Sequence, residues 1–145
     1  GWAMGQYLLG EFGTMKKNYP LAEKAYAKAL ELHDSLVDPL EPGIVYASLD
    51  GLGTAVGVQG KLDPGIATLP RALVAAEGLG EHEIEAVSRS NYNLACFSAR
   101  AKKFADAFAA LKKAIATDAK WKEAARSDED LAEARKRPEF QELLK

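Results

Sequence analysis

Cysteine is almost missing from this chain of 145 residues. The lone Cys96 excludes an internal disulfide and any cysteine-based metal cluster, and leaves the compartment reducing or undetermined. Long apolar runs are missing too. None approaches the ~18 residues needed to span a bilayer, and the opening GWAMGQYLLG has neither the basic flank nor the cleavage pattern of a signal peptide. A cytoplasmic protein without membrane attachment is therefore expected. A dominant charge is the third absence: 19 Lys and Arg face 21 Asp and Glu, a formal charge of -2 with a pI near 5.8. That balance argues against a general electrostatic grip on nucleic acid. What is present, 48% hydrophobic residues beside 28% charged ones, suits one soluble domain and excludes a disordered tail.

The organising feature is a repeat. Leu9-Gly10, Leu52-Gly53 and Leu94-Ala95 recur at steps of 43 and 42 residues, and Ala29, Ala72 and Ala114 keep the same two steps. Two independent markers thus share one register. Within each repeat the apolar spacing is helical. Ala22, Ala25, Tyr26, Ala29 and Leu30 form one stripe, and Ala107, Phe108, Leu111, Ala114 and Ile115 form another, with Asp106, Lys112 and Lys113 on the opposite side. Breaks fall at Asn18-Tyr19-Pro20, Leu62-Asp63-Pro64 and Lys102-Lys103-Phe104, where Asn18 or Tyr19, and Asp63, stand at cap positions. The pattern predicts antiparallel helix hairpins with helices near 3–16, 20–36, 44–59, 63–78, 83–100 and 104–117. Pro70 inside the fourth helix predicts a bend or a late start, since an interior proline costs about 3 kcal/mol.

These residues resemble the tetratricopeptide pattern W-x-x-L-G-x-x-Y…A-x-x-x-F…P, whose usual period is 34 residues. Leu9-Gly10, Ala22, Tyr26 and Ala29 follow it closely, as do Leu94-Ala95, Ala107, Leu111 and Ala114; the middle copy, with Leu52-Gly53, Leu69 and Ala72, carries Gly65 in place of the small alanine. The longer step is similar to the variant found in kinesin light chains and related scaffolds. The tail, with Trp121, Ala125-Arg126, Asp128, Asp130-Leu131, Arg135, Pro138, Phe140 and Leu143-Leu144, resembles the segment that closes bacterial arrays of this family. Independently, Ser127-x-x-Asp130 resembles a capping box, Pro138 can stop one helix and start the next, and a terminal repeat needs a plug such as Trp121, Leu131, Phe140 and Leu143. The expected fold is an all-α right-handed superhelix in one domain, with repeats at about 3–40, 44–82 and 83–118 and a cap over 119–145. No such plug precedes the first repeat, so either the sequence is a piece of a longer chain or Trp2, Met4 and Leu8 meet another chain.

Signals for chemistry are few. Gly51-x-Gly53-x-x-x-Gly57 superficially resembles a phosphate loop, yet it lies inside a helical repeat where glycine serves close packing. His33 and His82 sit at unmatched positions near helix ends, and Glu81-His82-Glu83 spreads its side chains around a helix, so neither histidine predicts a metal. Cys96 lies mid-helix without a base or helix N-terminus to activate it. No cofactor, metal or catalysis is therefore expected. Residues 1–99 hold 7 basic and 12 acidic side chains and residues 100–145 hold 12 and 9. A solvated outer face explains Lys102, Lys103, Lys112, Lys113, Lys120 and Lys122 better than an acidic partner does.

The resemblance implies a non-enzymatic interaction module that takes a protein or peptide along its first helices. By that resemblance the groove positions are Tyr7 and Glu11 in the first repeat, Asp50 and Thr54 in the second, and Arg89, Tyr92, Asn93, Cys96 and Arg100 in the third. Tyr7 and Tyr92 suit either anchoring of a ligand or packing between repeats. Homo-oligomerisation through the N-terminal face, an accessory role in a larger protein and small-ligand binding at the glycine-rich helix are the alternatives.

Overall fold

The computed structural model describes all residues from Gly1 to Lys145, and every regular element in it is helical. Eight α-helices follow in order: α1 (Trp2–Met15), α2 (Tyr19–Asp34), α3 (Pro42–Val58), α4 (Leu62–Ala76), α5 (Glu83–Arg100), α6 (Phe104–Thr117), α7 (Lys120–Ser127) and α8 (Pro138–Leu143). Short 3₁₀ turns occupy Gly80–His82, Glu129–Leu131 and Ala134–Lys136. The six long helices lie within two residues of the spans that periodicity predicts. None is long and apolar enough to cross a membrane. The chain divides into two compact units, Gly1–Leu79 and Gly80–Lys145.

The repeat is written in the backbone as well as in the side chains. Lys17, Gly60 and Lys102 follow α1, α3 and α5 with left-handed φ values of 55°, 86° and 62°. The next residue in each case returns its amide to the last turn of the helix: Asn18 N to Gly13 O, Lys61 N to Val56 O and Lys103 N to Ser98 O, at 2.7, 3.1 and 2.8 Å. This is one C-terminal cap built three times at the sequence period. It reverses the chain in three residues each time, and the second helix of each pair packs back on the first.

In Gly1–Leu79 the helix pairs α1/α2 and α3/α4 nest together, with α3 touching both α2 and α1. Alanine and glycine permit that approach. Ala22, Ala25 and Ala29 of α2 are buried, and Tyr26 is the one large side chain fully buried among them. A Cβ added at Gly10 would lie 2.6 Å from the Tyr26 ring, and one at Gly51 would lie 2.5 Å from it. Gly53 backs onto Leu69, and Gly65 meets the Gly57 backbone, so the glycine-rich stretch of α3 is a packing surface.

In Gly80–Lys145 the pair α5/α6 is closed by the chain's own tail. Leu131 and Phe140 are fully buried in one cluster with Ala95, Ala107, Leu111 and Ala114, and Trp121, Leu143 and Leu144 pack at its edge. The expected plug is present.

Three local expectations need correction. Ser127 is the last residue of α7 and caps nothing; the cap is Asp128, whose side chain accepts the Asp130 amide at 3.0 Å. Asp63 lies inside the first turn of α4, where a carboxylate meets the positive end of the helix, and Lys61 holds the cap position. Asn18 does cap α2, accepting from Leu21 N at 3.2 Å. Pro70 causes no late start: α4 begins at Leu62 and runs through it, with the proline on the exposed side.

Candidate functional site

Two polar clusters stand out, one in each unit. The first surrounds the hydroxyl of Tyr26, which the sequence marks only as a repeat residue. Its Oη donates a short hydrogen bond to the Glu11 carboxylate, and Thr14 Oγ1 lies 3.2 Å away. Thr14 Oγ1 also donates to Gly10 O one turn back. Tyr7 stands beside the cluster, its ring 6.3 Å from that of Tyr26 and tilted by 46°. Burial, then the bond to Glu11, pushes the Tyr26 phenol up, and burial with the Glu11 charge raises Tyr7 as well. Both phenols therefore stay protonated, and that of Tyr26 serves as a donor. Glu11 itself is exposed and able to accept further bonds from solvent or a ligand.

Gly51 of α3 touches the hydroxyl end of the same ring, and Thr54, three residues on, shares its helical face. Asp50 is buried at 9% exposure, and Thr54 is half-buried. Tyr7, Glu11, Thr14 and Gly51 thus gather around Tyr26. Its packing signal was legible in the sequence; its polar role depends on the missing Cβ atoms at Gly10 and Gly51, which bring the hydroxyl up to α1.

The second cluster lies on α5, and it is used by the tail. Tyr92 donates through Oη to Asp128 Oδ2 at 2.8 Å, and its ring stacks on Trp121 with centroids 4.5 Å apart. Cys96 Sγ lies 3.8 Å from the same carboxylate oxygen. Arg100 reaches Asp130 at 3.9 Å. Arg135 donates to the carbonyls of Ala125 and Asp128, fixing the turn that aims Asp128 inward. Tyr92 and Cys96, expected at a groove surface, are buried at 5% and 4% exposure. Arg89 is exposed and pairs with Glu85 at 3.2 Å, and Asn93 is half-buried. Burial first, then the Asp128 bond, pushes the Tyr92 phenol up, and burial with the charges of Asp128 and Asp130 pushes the Cys96 thiol up.

Cys96, Asp128 and Asp130 bring their ligand atoms within 4.8 Å of one another, the one such group that could hold a metal. The donor chemistry fits poorly. A raised thiol pKa opposes the thiolate that ligation needs, and Asp128 already accepts Tyr92 Oη on one oxygen and the Asp130 amide on the other. His82 is exposed beside Glu81, and His33 accepts the Leu40 amide at Nδ1 over 2.9 Å, a bond that orders the α2–α3 connection.

A third surface is apolar. Leu9, Leu21 and Ala25 floor a 660 Å³ groove between α1 and α2, rimmed by Lys24, Lys28 and Glu31. Beside it Trp2, Leu8, Phe12 and Met15 are exposed along α1. The structure defines an all-α protein of repeated helix hairpins. Comparison of the chain with family models, with curated proteins and with solved structures gives no match.

Proposed function

We propose that this chain is a tetratricopeptide-like interaction module, a right-handed superhelix of three helix pairs that binds a protein or peptide segment and performs no chemistry on it. The shared left-handed turn at Lys17, Gly60 and Lys102 supports the repeat reading, because similar backbone at a near-constant step is what stacked units need. The observation that carries the binding reading is the Tyr26 cluster. It holds Tyr7 and Glu11 of α1 around the Tyr26 ring against which Gly51 of α3 packs, with one carboxylate exposed.

The segment this cluster suits is extended or helical and carries a basic side chain. Glu11 would take the cation and the half-buried ring of Tyr7 would flank its aliphatic stem, while the buried Tyr26 hydroxyl holds the Glu11 carboxylate in place. Residues 1–79 hold 6 basic and 9 acidic side chains, which adds long-range attraction of the same sign. On α5, by contrast, Tyr92, Cys96 and Arg100 already serve the tail.

Selection from a displayed library of random dodecamer peptides tests this. Enriched peptides should share a Lys or Arg, and Glu11→Lys should weaken them at least ~10-fold, about 1.4 kcal/mol, with helicity unchanged. Enrichment of acidic peptides, or equal binding by Glu11→Lys, would refute the reading.

A further inference from the structure

Helix α1 is apolar nearly all round. Glu11 is its one charged residue, and that carboxylate belongs to the Tyr26 cluster. One face, with Ala3, Gly10 and Gly13, is buried against the rest of Gly1–Leu79. The opposite face exposes Trp2, Leu8, Leu9, Phe12 and Met15 at 78, 57, 38, 51 and 79% of their surface. Gly5 interrupts that stripe, with nothing within 4 Å of where its Cβ would be. A helix apolar on all sides normally lies buried, so this face is short of a neighbour.

We propose that the neighbour is the same helix of a second copy, lying antiparallel across a two-fold axis that passes between Leu8 and Leu9. The stripe is complementary to its own reverse in residue size. Reversed about that axis, Trp2 falls opposite the partner's Met15, Gly5 opposite the partner's Phe12, and Leu8 opposite the partner's Leu9. Each protrusion meets something that receives it. The Phe12 ring has the open hollow at Gly5 to enter, and the Met15 thioether suits the indole edge. A two-fold interface needs this kind of self-complementarity, and a partner of unrelated shape would not require it. Antiparallel helices also place opposite dipole ends together. The side chains of the stripe are uncharged; Lys16 Nζ lies 5.8 Å over the Phe12 ring at the margin.

The area is adequate. The five exposed fractions amount to about three fully exposed large side chains, or about 600 Å² per protomer at ~200 Å² each. Two copies would remove about 1,200 Å² from water, the lower edge of the range for a specific, stable interface. Micromolar association is the strength that such an edge case supports. The inference goes beyond the peptide-binding reading and uses a different face of α1, so Glu11→Lys should leave it untouched.

Sedimentation equilibrium between ~1 and ~200 µM tests it, with an expected rise from 15.6 kDa towards twice that mass and no further. Leu9→Glu with Phe12→Glu should hold the protein at 15.6 kDa with unchanged helicity. Gly5→Leu is the sharper variant. It adds apolar surface in open space, so a merely adhesive patch would associate more strongly, whereas the proposed pairing loses its hollow and weakens at least ~10-fold. Oxidative cross-linking reads the register. Trp2→Cys mixed with Met15→Cys should link, while Trp2→Cys alone should not, because antiparallel copies separate those positions by ~20 Å. A monomer throughout, open-ended growth, tighter association of Gly5→Leu or self-linking of Trp2→Cys would each overturn the proposal.

Discussion

Helices α1 and α5 hold the same place in their hairpins, carry tyrosine at matching positions, and end in the same left-handed turn, yet their surroundings differ. Around α5 the chain supplies its own cover: Tyr92 is stacked by Trp121 and bonded to Asp128, and Phe140 and Leu131 complete the core. Around α1 no segment of Gly1–Leu79 covers the Trp2–Met15 stripe. Of the ten large apolar side chains left exposed, nine lie in Gly1–Leu79 and only Ile84 lies in Gly80–Lys145. A helix hairpin of this kind has more apolar surface than its own pair can hide. One unit resolves the excess within the chain, and in the other it stays exposed, where the proposed second copy would cover it.

Truncating an aromatic residue in each unit should break the comparison most visibly. Phe140→Ala removes a fully buried ring and should cost about 3–5 kcal/mol in chemical denaturation, whereas Phe12→Ala, half exposed, should stay within ~0.5 kcal/mol for the monomer. Equal losses would mean that α1 is covered after all. Glycine substitutions come next. Gly51→Ala drives a methyl into the Tyr26 ring and should cost about 1–3 kcal/mol, while Gly5→Ala, in open space on α1, should stabilise the monomer by up to ~1 kcal/mol. Thermal melts of dilute protein distinguish them by sign.

The shared turn gives a smaller pair of effects. Gly60→Ala should lose about 1 kcal/mol, because a Cβ is strained at φ 86°, and Lys102→Gly should gain ~0.5–1 kcal/mol at the equivalent position. If both substitutions were neutral, the three turns would not be equivalent. The smallest effect concerns pH. Burial and the Asp128 charge raise the Asp130 carboxyl, with Arg100 opposing. A carboxyl raised on folding costs stability once pH exceeds its folded value and costs none below its unfolded value. Asp130→Asn should therefore stabilise by about 0.5 kcal/mol at pH 7, a half-exposed group being well screened, and the gain should vanish by about pH 3. Urea midpoints at the two pH values provide the check.

Much of the fold was legible because small residues recur at one period. Alanine stripes placed six helices to within two residues, and the tail's Leu131 and Phe140 read correctly as a plug. Caps were harder to place. Ser127 and Asp128 are adjacent, both suit a cap, and only the reach of Asp128 to Tyr92, 36 residues earlier, decides between them. The same long-range bond turned Tyr92 and Cys96 inward. Spacing along α5 gives which residues share a face but not whether a later segment lies on that face. Gly60 stands at the same period as Lys17 and Lys102, so its turn is signalled only by the repeat step and not by residue type, since the other two positions carry lysine. The apolar face of α1 was visible as Trp2, Met4 and Leu8, but Met4 lies off the exposed stripe, and Leu9, Phe12 and Met15 belong to it.

Hydrogen exchange followed as protein concentration rises tests the contrast between α1 and α5 most directly. Amides of residues 2–15 should slow at high concentration, and those of 83–100 should exchange at one rate throughout. Concentration-independent exchange in α1, or slowing that appears in α5 instead, would contradict the account.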